Sequence, residues 1–456
     1  MIKSRRDIPS VEILTRDKDI VKASKHLARP LTVEIVRSAV AKIKRQLGSE
    51  IKEIGYGNFK AAIISAINGV SSKKISPVIN GTGILVHTNL GRAPLSEKLF
   101  DNIKDHITGY GNLEFDTITG KRGRRGELAE KYLALISGAE AGTIVNNNAA
   151  ALFIILNTLA GRRKVLLSRG ELIQIGGGFR IPDILKKSGA RLVEVGTTNI
   201  TTLDDYKKGL EENPALILKV HRSNFAVSGF TDDVDLKSLV KLGRENNIPV
   251  INDLGSGVLV DTSKIASVKE PTVQSSVKAG ADLTCFSGDK LLGGVQSGLI
   301  VGREESIKKI KKNPVFRAIR VDKIIFSAIE ELLKNYLDDN WQESIKLWSL
   351  AYTGESVLYE RGRKLLKKIK AGEKISLEAS QGGIGGGALP EIPIPSVALV
   401  FNSEQPPQKI AALFRRTIPP IIGRISNERF MIDLKAIDEE TLAILPDIIK
   451  SIINRI

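Results

Sequence analysis

At 456 residues the chain is too long for one ordinary core, so two or three domains are expected, and a composition 42% hydrophobic and 26% charged is that of a globular protein. No apolar run approaches the roughly 20 residues that span a bilayer, and the opening MIKSRRDIPSVEIL lacks the apolar stretch of an export signal, which fits a cytoplasmic protein. One cysteine, Cys285, excludes an intrachain disulfide framework, and a net charge of +17 points to a polyanionic partner.

The charge is uneven along the chain. Residues 1–75 hold 16 lysines and arginines against 7 acidic residues, a net of +9, about half the total excess. The same stretch reads as helical. In LTVEIVRSAVAKIKRQLGSEI the residues Val33, Val36, Val40, Ile43 and Leu47 recur at three- and four-residue spacing, and FKAAIISAIN follows. A basic helical domain over 1–75 is expected, either as a polyanion-binding surface or as a merely solvated helical face. Around SSKKISPVINGTG, Pro77 and two glycines interrupt the pattern and mark a boundary.

From about Ser137 the pattern changes class. The β-rich runs KVLLS, RLVEVG, ALILKVH, IPVINDL, LTCFS and SGLIVG alternate with the helical AALFIILNTLA, IPDILKKSG and DLKSLVKLGRENN. Such alternation predicts an α/β domain with a mostly parallel sheet, spanning 76–330. Helical segments then lead to the Gly/Pro-rich QGGIGGGALPEIPIPS and to the runs SVALVF and RFMIDL. These predict a smaller α+β domain over 331–456.

One lysine stands out within the α/β part. Lys290 follows an apolar strand and Ser287, Gly288 and Asp289, and Gly293 and Gly294 come after it, so the backbone there can turn tightly and admit a planar ligand. A lysine partly desolvated beside a strand can shed its proton and condense with an aldehyde, and pyridoxal phosphate is the obvious aldehyde. Asp253 ends the run IPVIND, at the strand edge where α/β sheets bind ligands. A carboxylate there can keep the cofactor's ring nitrogen protonated; it can equally be a helix cap or turn residue. Asn146, Asn147, Asn148 and Ala149 precede or open a helical run whose free amide groups can receive a phosphate, or the asparagines can simply cap it. In VHRSNF, Asn224 is placed to reach the cofactor's phenolic oxygen. The histidines His26, His87, His106 and His221 lack metal-ligand spacing, and with a single cysteine no zinc site is expected.

These residues sit in longer motifs that carry a family resemblance. VINGTGILVHTNLGRAPLS, VNNNAAA, SRGELIQIGGGFRIPD, VGTTN, INDLGSG, FSGDKLLGGVQSGLIVG and the late PPIIGRI resemble bacterial selenocysteine synthases, the L-seryl-tRNA(Sec) selenium transferases, along the whole chain. The resemblance implies a fold-type I pyridoxal phosphate transferase with a small helical N-terminal domain. It implies conversion of L-seryl-tRNA(Sec) to L-selenocysteinyl-tRNA(Sec) with selenophosphate, through an aminoacrylate held on the cofactor. Lys290 would carry the pyridoxal phosphate, and Asp289 would take part in the reaction. Arg92, Arg317 and Arg320 would form the phosphate site for selenophosphate, a use suited to planar guanidinium forks, although each arginine alone can also be a surface or ion-pair residue. The basic N-terminal domain would hold the tRNA by shape and backbone contacts. The resemblance further implies a homo-oligomer, a ring of dimers such as a decamer, with active sites shared between subunits and Arg92 open to coming from a neighbour.

Two departures accompany the match. Valine stands at 295 where the family usually has proline, and no aromatic residue is evident to stack on the cofactor ring, Glu171 lying in the SRGEL segment where one is expected. Two other readings remain: a related lyase acting on a free amino acid or amino sugar, which needs no basic N-terminal domain, and a non-catalytic RNA-binding protein, which needs no Lys290, Asp253 and Asn148 together.

Overall fold

The computed structural model describes residues 1–47, 52–175, 178–223, 225, 227–265, 269–385 and 393–456. The chain forms two compact units, Met1–Pro77 and Val78–Ile456.

The first unit is helical. Its longest helix, Arg29–Gln46, buries Thr32, Ile35, Val36, Val40 and Ile43, and Tyr56–Ser71 buries Phe59, Ile63 and Ile67 at four-residue spacing. Ile35 takes the core place expected of Val33, because the buried stripe broadens toward the helix start. Leu14 and Ile20 from two short helices complete this core. With the apolar stripe inward, the cations are left outside: of the 16 lysines and arginines only Lys44 and Lys60 are partly covered. Lys60 is held by Asp17 and Asp19.

The second unit contains a seven-stranded sheet in the order Ala141–Val145, Gly298–Gly302, Leu283–Ser287, Val250–Gly255, Leu216–Val220, Lys164–Ser168, Arg191–Val195. All pairings are parallel except those of Gly298–Gly302, which runs antiparallel to both neighbours. This is the expected mostly parallel sheet. All six β-rich runs are strands in it; the seventh, Ala141–Val145, was hidden in a short AGTIV run before the asparagines. Covered on both faces, the strands send successive side chains to opposite cores. Cys285 and Ile300 face the helices Asn148–Ala160, Ile181–Ser188 and Glu304–Lys312, whereas Phe286 and Leu299 face Glu127–Ser137 and Lys323–Leu337.

A second sheet, of five strands, pairs Ile79–Gly81 with Ile421–Ser426 in parallel and continues antiparallel through Arg429–Asp433, Pro393–Phe401 and Ile375–Gly383. Thus the segment opening the second unit adds an edge strand to its C-terminal sheet. Leu85 and Val86 then hydrogen-bond to Gly383 and Ile384, which carries the following turn, residues 87–92, toward the large sheet. Among the described residues no helix is long and apolar enough to cross a membrane.

Candidate active site

Four carboxyl ends of parallel strands, and the turn after the strand Leu283–Ser287, converge on a cavity of about 210 Å³. Its lining includes Asn147, Asn148, Ala149, Asp253, Ser287 and Lys290, together with Arg92. Carboxyl ends are where an open α/β sheet offers side chains free of the ladder. Of the expected cofactor residues, Asn146 is absent from this lining, and Asn224 lies outside the described residues.

Lys290 is 8% exposed, and its amine has no hydrogen bond or ion pair among the described residues. Burial lowers its pKa below the ordinary lysine range, opposed by the charge of Asp253 and reinforced by that of Arg92. A neutral amine is the nucleophilic form. Asp253 is 6% exposed, and burial raises its pKa against the opposing Asn148 hydrogen bond and Lys290 charge. Its Oδ1 accepts from Asn148 Nδ2 at 2.9 Å and lies 3.7 Å from Cys285 Sγ. Its other oxygen has no partner among the described residues. A protonated ring nitrogen set against it would favour the carboxylate again.

The three asparagines divide the work. Asn147 caps the helix Asn148–Ala160 by accepting from the Ala150 amide at 2.8 Å. Asn148 buttresses Asp253, and its Oδ1 is buried without a hydrogen-bond partner. Asn146 gives its amide to Ile319 O on the far side of the strand end. Capping of the helix by Asn147 and support of Asp253 by Asn148 therefore fall to adjacent residues. Gly298 is required opposite this helix start, since a Cβ there would meet Asn147 O at 2.1 Å. Gly293 and Gly294 do not clear space for a ligand as expected. A Cβ on either would strike Ile345 or Leu332, so these glycines let the turn pack on the core.

Arg92 reaches the cavity of its own chain, where Nη1 donates to Asp289 Oδ2 at 2.6 Å. Arg317 and Arg320 do not join it there. They line a separate cavity of about 690 Å³ with Arg124, Arg125, Lys311 and Lys312, because their segment runs along the outer edge of the strand Ala141–Val145, where Val145 bridges Arg320. At the SRGEL segment, Glu171 is 2% exposed and turned inward, accepting from Lys219 Nζ at 2.6 Å and the Val220 amide at 2.8 Å. Burial raises its pKa despite Lys219. Ile173, two residues further on, lines the cavity.

His221 was left without a role by its sequence. Its amide donates to Asp253 O at 2.9 Å, its ring lines the cavity, and its Nε2 meets Glu270 Oε1 at 3.1 Å. Glu270 is 3% exposed and sits in no recognisable motif, so no local signal could have found it.

A buried amine and a buried carboxylate oxygen that have no partner among the described residues, with a buried amide oxygen likewise unpaired there and a helix start lining the same cavity, suit a planar aldehyde with a basic ring nitrogen and a phosphate. Comparisons with known proteins agree with this chemistry. Residues 78–438 match the family model for L-seryl-tRNA selenium transferase. An L-seryl-tRNA(Sec) selenium transferase of Carboxydothermus hydrogenoformans is 39% identical over 447 residues, covering 96% of each chain. One from Aquifex aeolicus is 40% identical over 439 residues, covering 95% of this chain and 94% of its own. Among solved structures, a D-glucosaminate-6-phosphate ammonia-lyase superposes with a TM-score of 0.59 at 20% identity, over 85% of this chain and 98% of its own, a likeness that bears on the fold alone. With its cavity, its fold and its near full-length relatives in accord, the chain belongs to the L-seryl-tRNA selenium transferase family.

Proposed function

We propose that this protein converts L-seryl-tRNA(Sec) to L-selenocysteinyl-tRNA(Sec), with selenophosphate as selenium donor and Lys290 as the anchor of pyridoxal phosphate. The observation that carries the reading is the convergence of Lys290, Asp253, Asn148 and Arg92 on one cavity, with Asp289 held by Arg92, in a chain of this family. When bound, pyridoxal phosphate supplies an electron sink for charge developing at the serine Cα.

The chain's own residues do the rest. Asp253, steadied by Asn148, holds the proton on the ring nitrogen. The helix start at Asn148 and Ala149, with Ser287, receives the cofactor phosphate. Lys290, low in proton affinity through burial, would hold the aldehyde carbon of the cofactor and is the base that takes the serine Cα proton. Asp289, next in the chain, accepts that proton from Lys290 and relays it to the departing β-hydroxyl, so the carboxylate begins and ends ionised. Arg92 grips the phosphate of selenophosphate. Arg317 and Arg320 serve the cavity of a neighbouring chain in a ring of dimers. The exposed cations of Met1–Pro77 hold the tRNA by its phosphates, and the setting is the cytoplasm.

The test is conversion of seryl-tRNA(Sec) with selenophosphate by the purified protein, read as selenium incorporated into the aminoacyl ester. Turnover of a free amino acid or amino sugar with no reaction on seryl-tRNA(Sec) would replace this reading with the lyase. Removing residues 1–77 is expected to weaken tRNA binding by at least about 100-fold while the cofactor's visible band remains. Unchanged tRNA affinity would take the tRNA-holding role away from the first unit.

A further inference from the structure

The guanidinium at the cavity is already engaged. Arg92 Nη1 donates to Asp289 Oδ2 at 2.6 Å, and the pair is lopsided: the Asp289 side chain is 9% exposed, that of Arg92 40%. The backbone enforces this meeting. His87 O accepts the Arg92 amide at 2.9 Å, and the Ala93 amide donates to Asp289 O at 3.2 Å. Gly91 and Arg92 both adopt left-handed conformations, with φ of 92° and 68°. A left-handed arginine is strained and persists only where its surroundings hold it. Here they hold it against the one carboxylate adjacent in sequence to Lys290.

One N–H cannot serve a carboxylate and an incoming phosphate at once, and a phosphate dianion is the stronger acceptor. Arg92, being the exposed member, is the one able to turn.

We propose that the Arg92–Asp289 pair is a latch released by the phosphate of the selenium donor. Donor arrival draws Arg92 away and leaves the Asp289 carboxylate unpaired beside Lys290. The proton-transfer group is thereby freed only when the selenium that must capture the dehydrated serine is present. This rests on the reading of Arg92 as the donor's phosphate site.

The experiment titrates inorganic phosphate calorimetrically into the full-length protein loaded with pyridoxal phosphate. With the competing carboxylate removed, Asp289→Asn and Asp289→Ala are expected to bind phosphate about 10-fold more tightly than the unaltered protein, the worth of one charge-assisted hydrogen bond. The visible band of the loaded cofactor shows that each variant keeps its fold, and the two substitutions guard against a defect peculiar to either. Equal or weaker phosphate binding in both would overturn the latch, leaving Asp289 as a prop that aims Arg92, with the donor-site reading intact. Undiminished phosphate binding in Arg92→Ala would instead remove the donor-site reading, and the latch with it.

Discussion

The two charged cavities of the second unit treat charge in opposite ways. In the first, Lys290 and Asp253 are nearly sealed from water, so burial decides their proton affinity: it lowers that of Lys290 and raises that of Asp253. Around Arg317 and Arg320, seven cations line a cavity roughly three times as large and open to solvent, and carboxylates answer some of them, Glu130 in the lining and Glu114 behind Arg125 and Arg320. Sealing turns a side chain into a reagent. Clustering exposed like charges builds a field that holds an anion and is weakened by salt. On the proposed function, that difference would separate the place where bonds change from a place that attracts substrate, within one unit and along one sheet.

The sharpest way to break this contrast is Lys290→Ala. Loss of the amine is expected to abolish the visible cofactor band and cut turnover by at least about 10,000-fold, in absorbance and single-turnover assays. A surviving band would move the cofactor to another lysine. Next in size is Arg317→Ala, expected to lower selenophosphate capture by about 10- to 100-fold with the band unchanged. Mixing Arg317→Ala chains with Lys290→Ala chains should restore part of the activity, since each hybrid dimer then pairs an intact Lys290 with an intact Arg317. No restoration would confine Arg317 to its own chain's chemistry or to binding elsewhere.

The smallest effect is on stability. The folded-state pKa of Lys290 is below that of the unfolded chain, so between the two values the unfolded chain holds more protons. Stability of the cofactor-free protein should therefore rise with pH across that window, up to the ordinary lysine value of about 10.5. Urea midpoints of Lys290→Met, measured over the same range, should lack this rise. An identical pH profile in both proteins would mean that the amine is better solvated than its burial implies.

Much of the architecture was legible because it is local. Alternating β-rich and helical runs mark a parallel sheet, and six strands could be placed from them. The strand Ala141–Val145 escaped because its short apolar run merges into a helix start. The candidate site was legible in part. Lys290, Asp253 and Asn148 stand at strand ends and a helix start, positions that sequence pattern reveals. Glu270 stands in no pattern, and Glu171, read only as the lack of an aromatic ring, proves to be an internal anchor for Lys219 and Val220.

By itself the sequence determined the kinds of groups available: a lysine after a buried strand, carboxylates at strand ends, and a basic amphipathic start whose apolar stripe forces its cations outward. Only the tertiary structure decided which of them meet. Asn148 and Asp253 are 105 residues apart, and Arg92 and Asp289 are 197 apart. Arg317, by contrast, is only 27 positions beyond Lys290 yet lines a different cavity. Periodicity records how a segment faces its own core, whereas contact between distant side chains depends on strand order, register and the turns that packing selects.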